Sequence, residues 1–204
     1  MEETRRHHLG PGEVGTLKAL SHPTRVRLLL AVSEIGPATV GMLAERVGEA
    51  VGGVSYHLQQ LAKYGLVAEV PELARDKRER WWRFAHVSGL SMAASEFADD
   101  PVGQLTQRAA LLAWTEATAE RMRQAVETMH TLPQEWWNAT QPGMRGPLRL
   151  TAEELGQLCD ELGAVIDRWL QHSKSAADQE GRWRVHLPIH PLVSPEHPHG
   201  DESS

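Results

Sequence analysis

Apolar positions in the first third of the chain come in four bursts with helical spacing. Val14, Leu17, Ala19 and Leu20 make a short first helix that ends near Ser21 and His22. Pro23 opens a second, at a position where proline loses no hydrogen bond. Val26, Leu29, Leu30 and Val32 to Ile35 supply its buried face until Gly36 and Pro37 stop it. Thr39 reads as the N-cap of a third helix bearing Val40, Leu43, Ala44 and Val47, closed by a turn at Gly48. The fourth burst, Val51, Val54, Leu58 and Leu61, gives one face of a helix over 50–64 a core to bury against. Its other face carries Gly52, Gly53, Ser55, Tyr56, Gln59, Gln60 and Lys63, with His57 on the flank.

After Gly65 the period changes to two. Leu66 to Val70 continue as a strand, and Arg80 to Ala85 answer it, with Trp82 and Phe84 alternating against Trp81 and Arg83. The hairpin tip over 71–80 carries Arg75, Lys77, Arg78 and Arg80; such a tip is a solvated loop in many proteins, but after a recognition-type helix it reads as a wing suited to phosphates or the minor groove. Helix, tight glycine turn, helix and charged hairpin together spell a winged helix-turn-helix domain over 13–87.

A different periodicity governs the rest. Asp99 and Asp100 before Pro101 mark a helix start. From there Val102, Leu105, Ala109, Leu112, Thr115, Ala119, Met122, Val126 and Met129 step by threes and fours. Running to about Thr131, such a helix would be roughly 45 Å long at about 1.5 Å per residue, more than one winged-helix domain covers. Region 88–132 is therefore expected to be a dimer spine with Leu105, Leu112, Ala119, Met122 and Val126 at its seam. An ordinary core helix beneath the C-terminal segment is the other reading, and the two are compatible.

Within 133–191, Leu148 and Leu150 alternate with Arg149, and Thr151 with Glu154 spells a capping box. Leu155, Leu158, Cys159, Leu162, Val165, Ile166, Trp169 and Leu170 then line one helix face. Trp183, Val185, Leu187 and Ile189 alternate with Arg184, His186, Pro188 and His190, the pattern of a strand pairing with 148–150. Trp136 and Trp137 lie in a Pro-bounded stretch where they should pack into a core or, with Trp114 and Trp169, line an effector pocket. Residues 1–12 read as a flexible lead-in and 192–204 as a disordered tail. The expected fold class is mainly α with small β: a winged helix-turn-helix domain, a long dimerisation helix, then a small C-terminal α+β unit.

Charge sharpens this division. The 204 residues carry a net charge of -6, but residues 1–86 hold 12 Lys and Arg against 10 Asp and Glu, whereas residues 87–204 hold 9 against 17. Only the first part leans toward a polyanion. No apolar run approaches the roughly 18 to 20 residues that cross a bilayer, and the opening MEETRRHHLGPGE lacks the apolar stretch of a secretory signal, so a cytoplasmic protein is expected. The single cysteine, Cys159, excludes an intrachain disulfide and a cysteine-cluster zinc site, and its place on an apolar stripe reads as a packed thiol.

The segments LSHPTRVRLLLAV (Leu20 to Val32) and VSYHLQQLAKYGLV (Val54 to Val67), with the Arg- and Trp-rich second wing strand, resemble ArsR-type winged helix-turn-helix regulators over roughly residues 10–86. The resemblance implies that Ser55 and His57 face DNA, with Tyr56, Gln59 and Gln60 as neighbours. From their own position and charge, Gly53 and Lys63 on the fourth helix, Thr39, Arg25 near the start of the second helix and the wing residues Arg75, Lys77, Arg78 and Arg80 complete the expected DNA-contacting set. The stretch TVGML (Thr39 to Leu43) departs from the thiolate-sensing members, which carry Cys-x-Cys there. No metal site or cofactor is expected, and any signal should enter through the C-terminal half.

No phosphate-cradling glycine loop, nucleophile elbow or His-Glu-x-x-His motif supports an enzyme. Asp99 with Asp100 and Glu153 with Glu154 sit where helix starts favour negative charge. The leading expectation is a homodimeric transcription factor of repressor type, reading a pseudo-palindromic duplex and open to a small-molecule effector. A winged helix used for protein contact is the rival; such a domain would expose apolar residues on its fourth helix.

Overall fold

The computed structural model of the protein describes residues 7–10, 13–76, 79–86, 90–92, 97, 99–140, 147–175, 180–183, 185–187, 189, 191 and 193. Its first part contains α1 (Val14–Leu20), α2 (Pro23–Ile35), α3 (Val40–Val47) and α4 (Val51–Lys63). Local chemistry explains these boundaries. Pro23 occupies the first turn of α2, and the ring of His22 caps it, Nδ1 accepting from the Thr24 N–H at 3.2 Å. Thr39 Oγ1 accepts from the Met42 N–H at 3.3 Å and caps α3. Gly48, at φ 68°, takes the left-handed turn that lets the Glu49 N–H close back on the Ala44 carbonyl at 3.1 Å. Gly65, at φ 66°, does the same for α4.

Three short strands form an antiparallel sheet in the order β2 (Ala38–Thr39), β4 (Trp81–Phe84), β3 (Val67–Glu69). Glu69 and Ala38 both pair with Trp82, whose indole is buried, so the wing is anchored on both sides to the domain. Within the expected lead-in, β1 (His7–Leu9) pairs in parallel with β5 (Leu90–Met92), and Leu9 joins the core.

That core gathers Leu17, Leu20, Leu28, Leu29, Val32, Leu43, Val54, Leu58, Leu61, Leu66, Trp82 and Phe97. Each such side chain contributes about 1.5 to 3 kcal/mol on burial. Close packing also explains Gly15. A Cβ built there would stand 2.6 Å from Cε1 of Tyr64, so only glycine lets α1 lie beside the end of α4.

The long helix α5 (Pro101–Thr128) begins at an N-cap where Asp100 accepts from the Val102 N–H at 3.1 Å. At about 1.5 Å per residue it is about 42 Å long. Its buried residues are Gly103, Gln107, Ala110, Ala113 and Ala117, a mostly small-residue face packed on α1 and α2. A Cβ on Gly103 would come within 2.5 Å of the buried Phe97 ring. The large apolar stripe of the sequence is thereby turned away from the domain. Leu105, Leu112, Met122 and Val126 are 55–70% exposed, and Ala119 is exposed beside them.

Beyond α5 lie α6 (Gln134–Thr140) and α7 (Ala152–Ser175). The capping box at the start of α7 is present: Thr151 Oγ1 accepts from the Glu154 N–H at 3.2 Å, and Glu154 Oε2 accepts from the Thr151 N–H at 2.7 Å. The expected C-terminal sheet is a correction. Neither 147–150 nor any described residue of 182–189 is in a strand, and Leu148, Trp183, Val185, Leu187 and Ile189 are all exposed. Alternation supplies a candidate strand face, but a strand needs a partner edge for its backbone groups, and none of the described strands pairs with this segment. Arg184, Pro188, His190 and the tail from 194 onward lie outside the described residues, as do residues 1–6.

Candidate nucleic-acid interface

Helix α4 buries Val54, Leu58 and Leu61 and presents its opposite face to solvent, while Val51, expected on the buried face, is 56% exposed in the first turn. Gly52, Gly53, Tyr56, Gln59 and Lys63 are exposed there, with Ser55 and Gln60 partly so. The two glycines belong to the helix, which starts at Val51. A Cβ on either would meet nothing within 4 Å. Packing against α3 therefore does not account for them, and their bare backbone lies on the open side. Tyr56 is 57% exposed, and the ammonium of Lys63 sits 5.7 Å from the centroid of Tyr64. Amides, a phenol and an ammonium on one row can hydrogen-bond base edges and pair with phosphate.

His57 departs from the role that the resemblance implies. Its ring turns toward His22, 4.6 Å between centroids at 48°, and its Nδ1 is enclosed without a hydrogen-bond partner. Burial holds both imidazoles below their ordinary pKa, helped by the charge of Arg25 at His22 and by those of His22 and Arg25 at His57. Sequence reasoning passed over His22, although the position just before an N-terminal proline is a cap slot and a ring nitrogen can fill it.

Arg25 is engaged within the domain. Its Nε donates to the Ala19 carbonyl at 2.6 Å and its Nη2 to that of Lys18 at 2.8 Å, tying α2 to the end of α1. Neighbouring Arg27 pairs with Glu49 at 2.6 Å and donates to the Val47 carbonyl, bracing the turn that leads into α4. Thr39 is occupied as the α3 cap and borders a shallow crevice with Val40, Gly41, Glu79 and Arg80.

In the wing, Arg75 is exposed, while Arg80 pairs with Glu69 and lies 5.0 Å over the Trp82 ring. Carboxylates close the tip: the Arg75 N–H donates to Glu79 and the Glu79 N–H to Asp76. Lys77 and Arg78 lie outside the described residues.

The tryptophans expected to share a pocket do not converge. Trp114 packs against the helix-turn-helix core, Trp136 meets Trp183 at 5.3 Å, and Trp169 is 61% exposed with its ring against His172. Trp137, expected to pack in a core, is 41% exposed. A cavity of about 200 Å³ lies instead between α2, α3 and α5, floored by Leu30, Ala31, Val47 and Ala117. On its rim Glu34 pairs with Arg46 of α3 at 3.0 Å and Arg121 of α5 at 3.4 Å, a junction that sequence spacing did not reveal because its members are distant in the chain. Among the described residues no three His, Cys, Asp or Glu side chains form a metal-holding group, and no helix is long and apolar enough to cross a membrane.

No curated protein matches the chain. Residues 20–70, from the end of α1 through α2, α3, α4 and β3, match the family model described as a helix-turn-helix domain. The chain carries a helix-turn-helix DNA-binding domain, the equipment of a DNA-binding regulator.

Proposed function

We propose that the protein is a homodimeric, sequence-specific transcription repressor of the ArsR type, with α4 in the major groove. The observation that carries this reading is the outer row of α4. Gly52, Tyr56, Gln59 and Lys63 are exposed, polar or bare, and stand on the second helix of a helix-turn-helix. In this reading Tyr56, Gln59 and Gln60 meet base edges, Ser55 and Lys63 meet backbone, and Gly52 and Gly53 let the helix approach closely. Arg75, Lys77 and Arg78 extend the contact along the flanking phosphates.

The exposed row on α5 supports the dimer. Leu105, Leu112, Met122 and Val126 form an apolar stripe that the described part of the chain leaves uncovered, and a twofold mate would cover it with its own copy. Two domains joined that way would present their recognition helices to successive major grooves about 34 Å apart. Such a protein blocks whatever machinery needs the same duplex, which is the simplest form of repression.

Selection of duplexes from a random pool tests the proposal. The expected product is an inverted repeat bound by a dimer, with affinity that falls steeply with salt. Recovery of no preferred duplex, together with capture of a protein partner through α4, would replace it with the protein-contact reading.

A further inference from the structure

His57 stands on the flank of the recognition helix. At about 100° per residue, Gly52, Tyr56, Gln59 and Lys63 cluster within about 30° of one direction, and His57 points about 130° away from it. What it meets is His22, across the junction of α4 with the N-terminus of α2.

Each ring has a reason to stay neutral. The Nδ1 of His22 accepts the Thr24 N–H at 3.2 Å, which requires a lone pair; a proton there would turn the acceptor into a donor and uncap α2. A proton on the Nδ1 of His57 would create an enclosed donor without an acceptor. From α2, Arg25 and Arg27 add positive charge near His22. Arg25 also bears on His57, and the Tyr56 ring stands tilted at 64° to it with 5.4 Å between centroids. Glu49, in the turn between α3 and α4, is the carboxylate that favours protonation of both rings, and it is already held by Arg27 at 2.6 Å. The positive end of α2 opposes a charge on its own cap as well.

We propose that His57 is a positioning residue: neutral, it seats α4 on His22 at the angle DNA reading needs, and protonation of either ring loosens that seat and weakens DNA binding. This rests on the DNA-binding reading of α4. It gives the domain a proton-sensitive joint between its recognition helix and the cap of its scaffold helix.

The test uses the full chain and a duplex selected from a random pool at pH 8. Affinity is measured at pH 7.5, 6.5 and 5.5 at fixed ionic strength for the wild type, His22→Asn, His57→Gln and the double variant. Asparagine can still cap α2, and neither replacement titrates. Expected is a wild-type loss of tenfold or more across the range, a smaller loss in each single variant, and a loss under threefold in the double variant. At pH 7.5 the His57→Gln variant should keep its preference for the selected duplex over a scrambled one. An equally steep profile in the double variant, or loss of that preference at pH 7.5, overturns the proposal.

Imidazole proton resonances of the DNA-free chain separate the two failures. Two midpoints below the ordinary value, each moved by substitution of the other histidine, support the joint. Those midpoints with no duplex recovered would remove the DNA-binding reading. Ordinary, independent midpoints with normal duplex binding would remove only the joint.

Discussion

Substituting Gly52 or Gly53 by alanine should move stability and DNA binding in opposite directions. Both residues are in the first turn of α4, and an added Cβ meets nothing within 4 Å at either position. The folded state therefore incurs no clash, while the unfolded state loses conformational freedom. The gain is about 0.4 to 1 kcal/mol per site, or about 1 to 4 °C in melting temperature for a chain of this size. In the proposed complex with DNA the same methyl would stand where the helix backbone faces the duplex. An affinity loss of about tenfold corresponds to about 1.4 kcal/mol, which a displaced helix with weakened hydrogen bonds readily reaches. Calorimetry or thermal circular dichroism reads the first effect, and fluorescence anisotropy with a selected duplex reads the second. A stabilised variant with unchanged affinity would refute the claim that this face lies against DNA. Destabilisation would refute the helical, uncrowded placement itself.

Other consequences follow from packing, charge and the unpaired faces. Gly15→Ala should destabilise the domain by about 1 to 3 kcal/mol, because the new Cβ would stand 2.6 Å from the Tyr64 ring; denaturant melts check this, and wild-type stability would contradict it. His22 and His57 have lowered folded-state pKa values, so the unfolded state binds more protons just below neutrality. Stability should be fully present above about pH 6.5 and lost as pH falls through the lower folded values; a melting temperature flat from pH 7.5 to 5.5 would contradict the sign. Replacing Leu105 and Leu112 together by glutamate should convert the proposed dimer to monomer in sedimentation equilibrium with the domain still folded, since both side chains are exposed in the single chain. An unchanged dimer would place the interface elsewhere.

How much was legible follows the range of the interactions. Pro23, Thr39, Gly48, Gly65 and the Thr151–Glu154 box act within a few residues, so they announce the helix ends directly. The second strand of the hairpin was readable because Trp82 and Phe84 alternate with Trp81 and Arg83, whereas its register on β3 was not, since the pairing depends on both strands. For α5, periodicity identified an apolar stripe but not the direction it faces. Gly103, Ala110, Ala113 and Ala117 let the helix lie close on α1 and α2, and this turned the larger Leu105 and Leu112 outward. Closeness of approach is a property of two surfaces, invisible in one segment.

The alternation from Trp183 to Ile189 failed for a related reason: pairing depends on a distant partner edge. In the candidate site, the outer row of α4 came from spacing alone, whereas the inward turn of His57 did not. Its partner His22 lies 35 positions earlier, joined to it only by the way α4 crosses α2.

The proposed function depends above all on base-edge reading by the outer row of α4. Anisotropy titrations of Gln59→Ala against the selected duplex and a scrambled duplex of equal length test it most directly. The expected result is a loss of about 1 to 3 kcal/mol on the selected duplex, with binding to the scrambled one within twofold of wild type. An equal loss on both duplexes, or none on either, would contradict it.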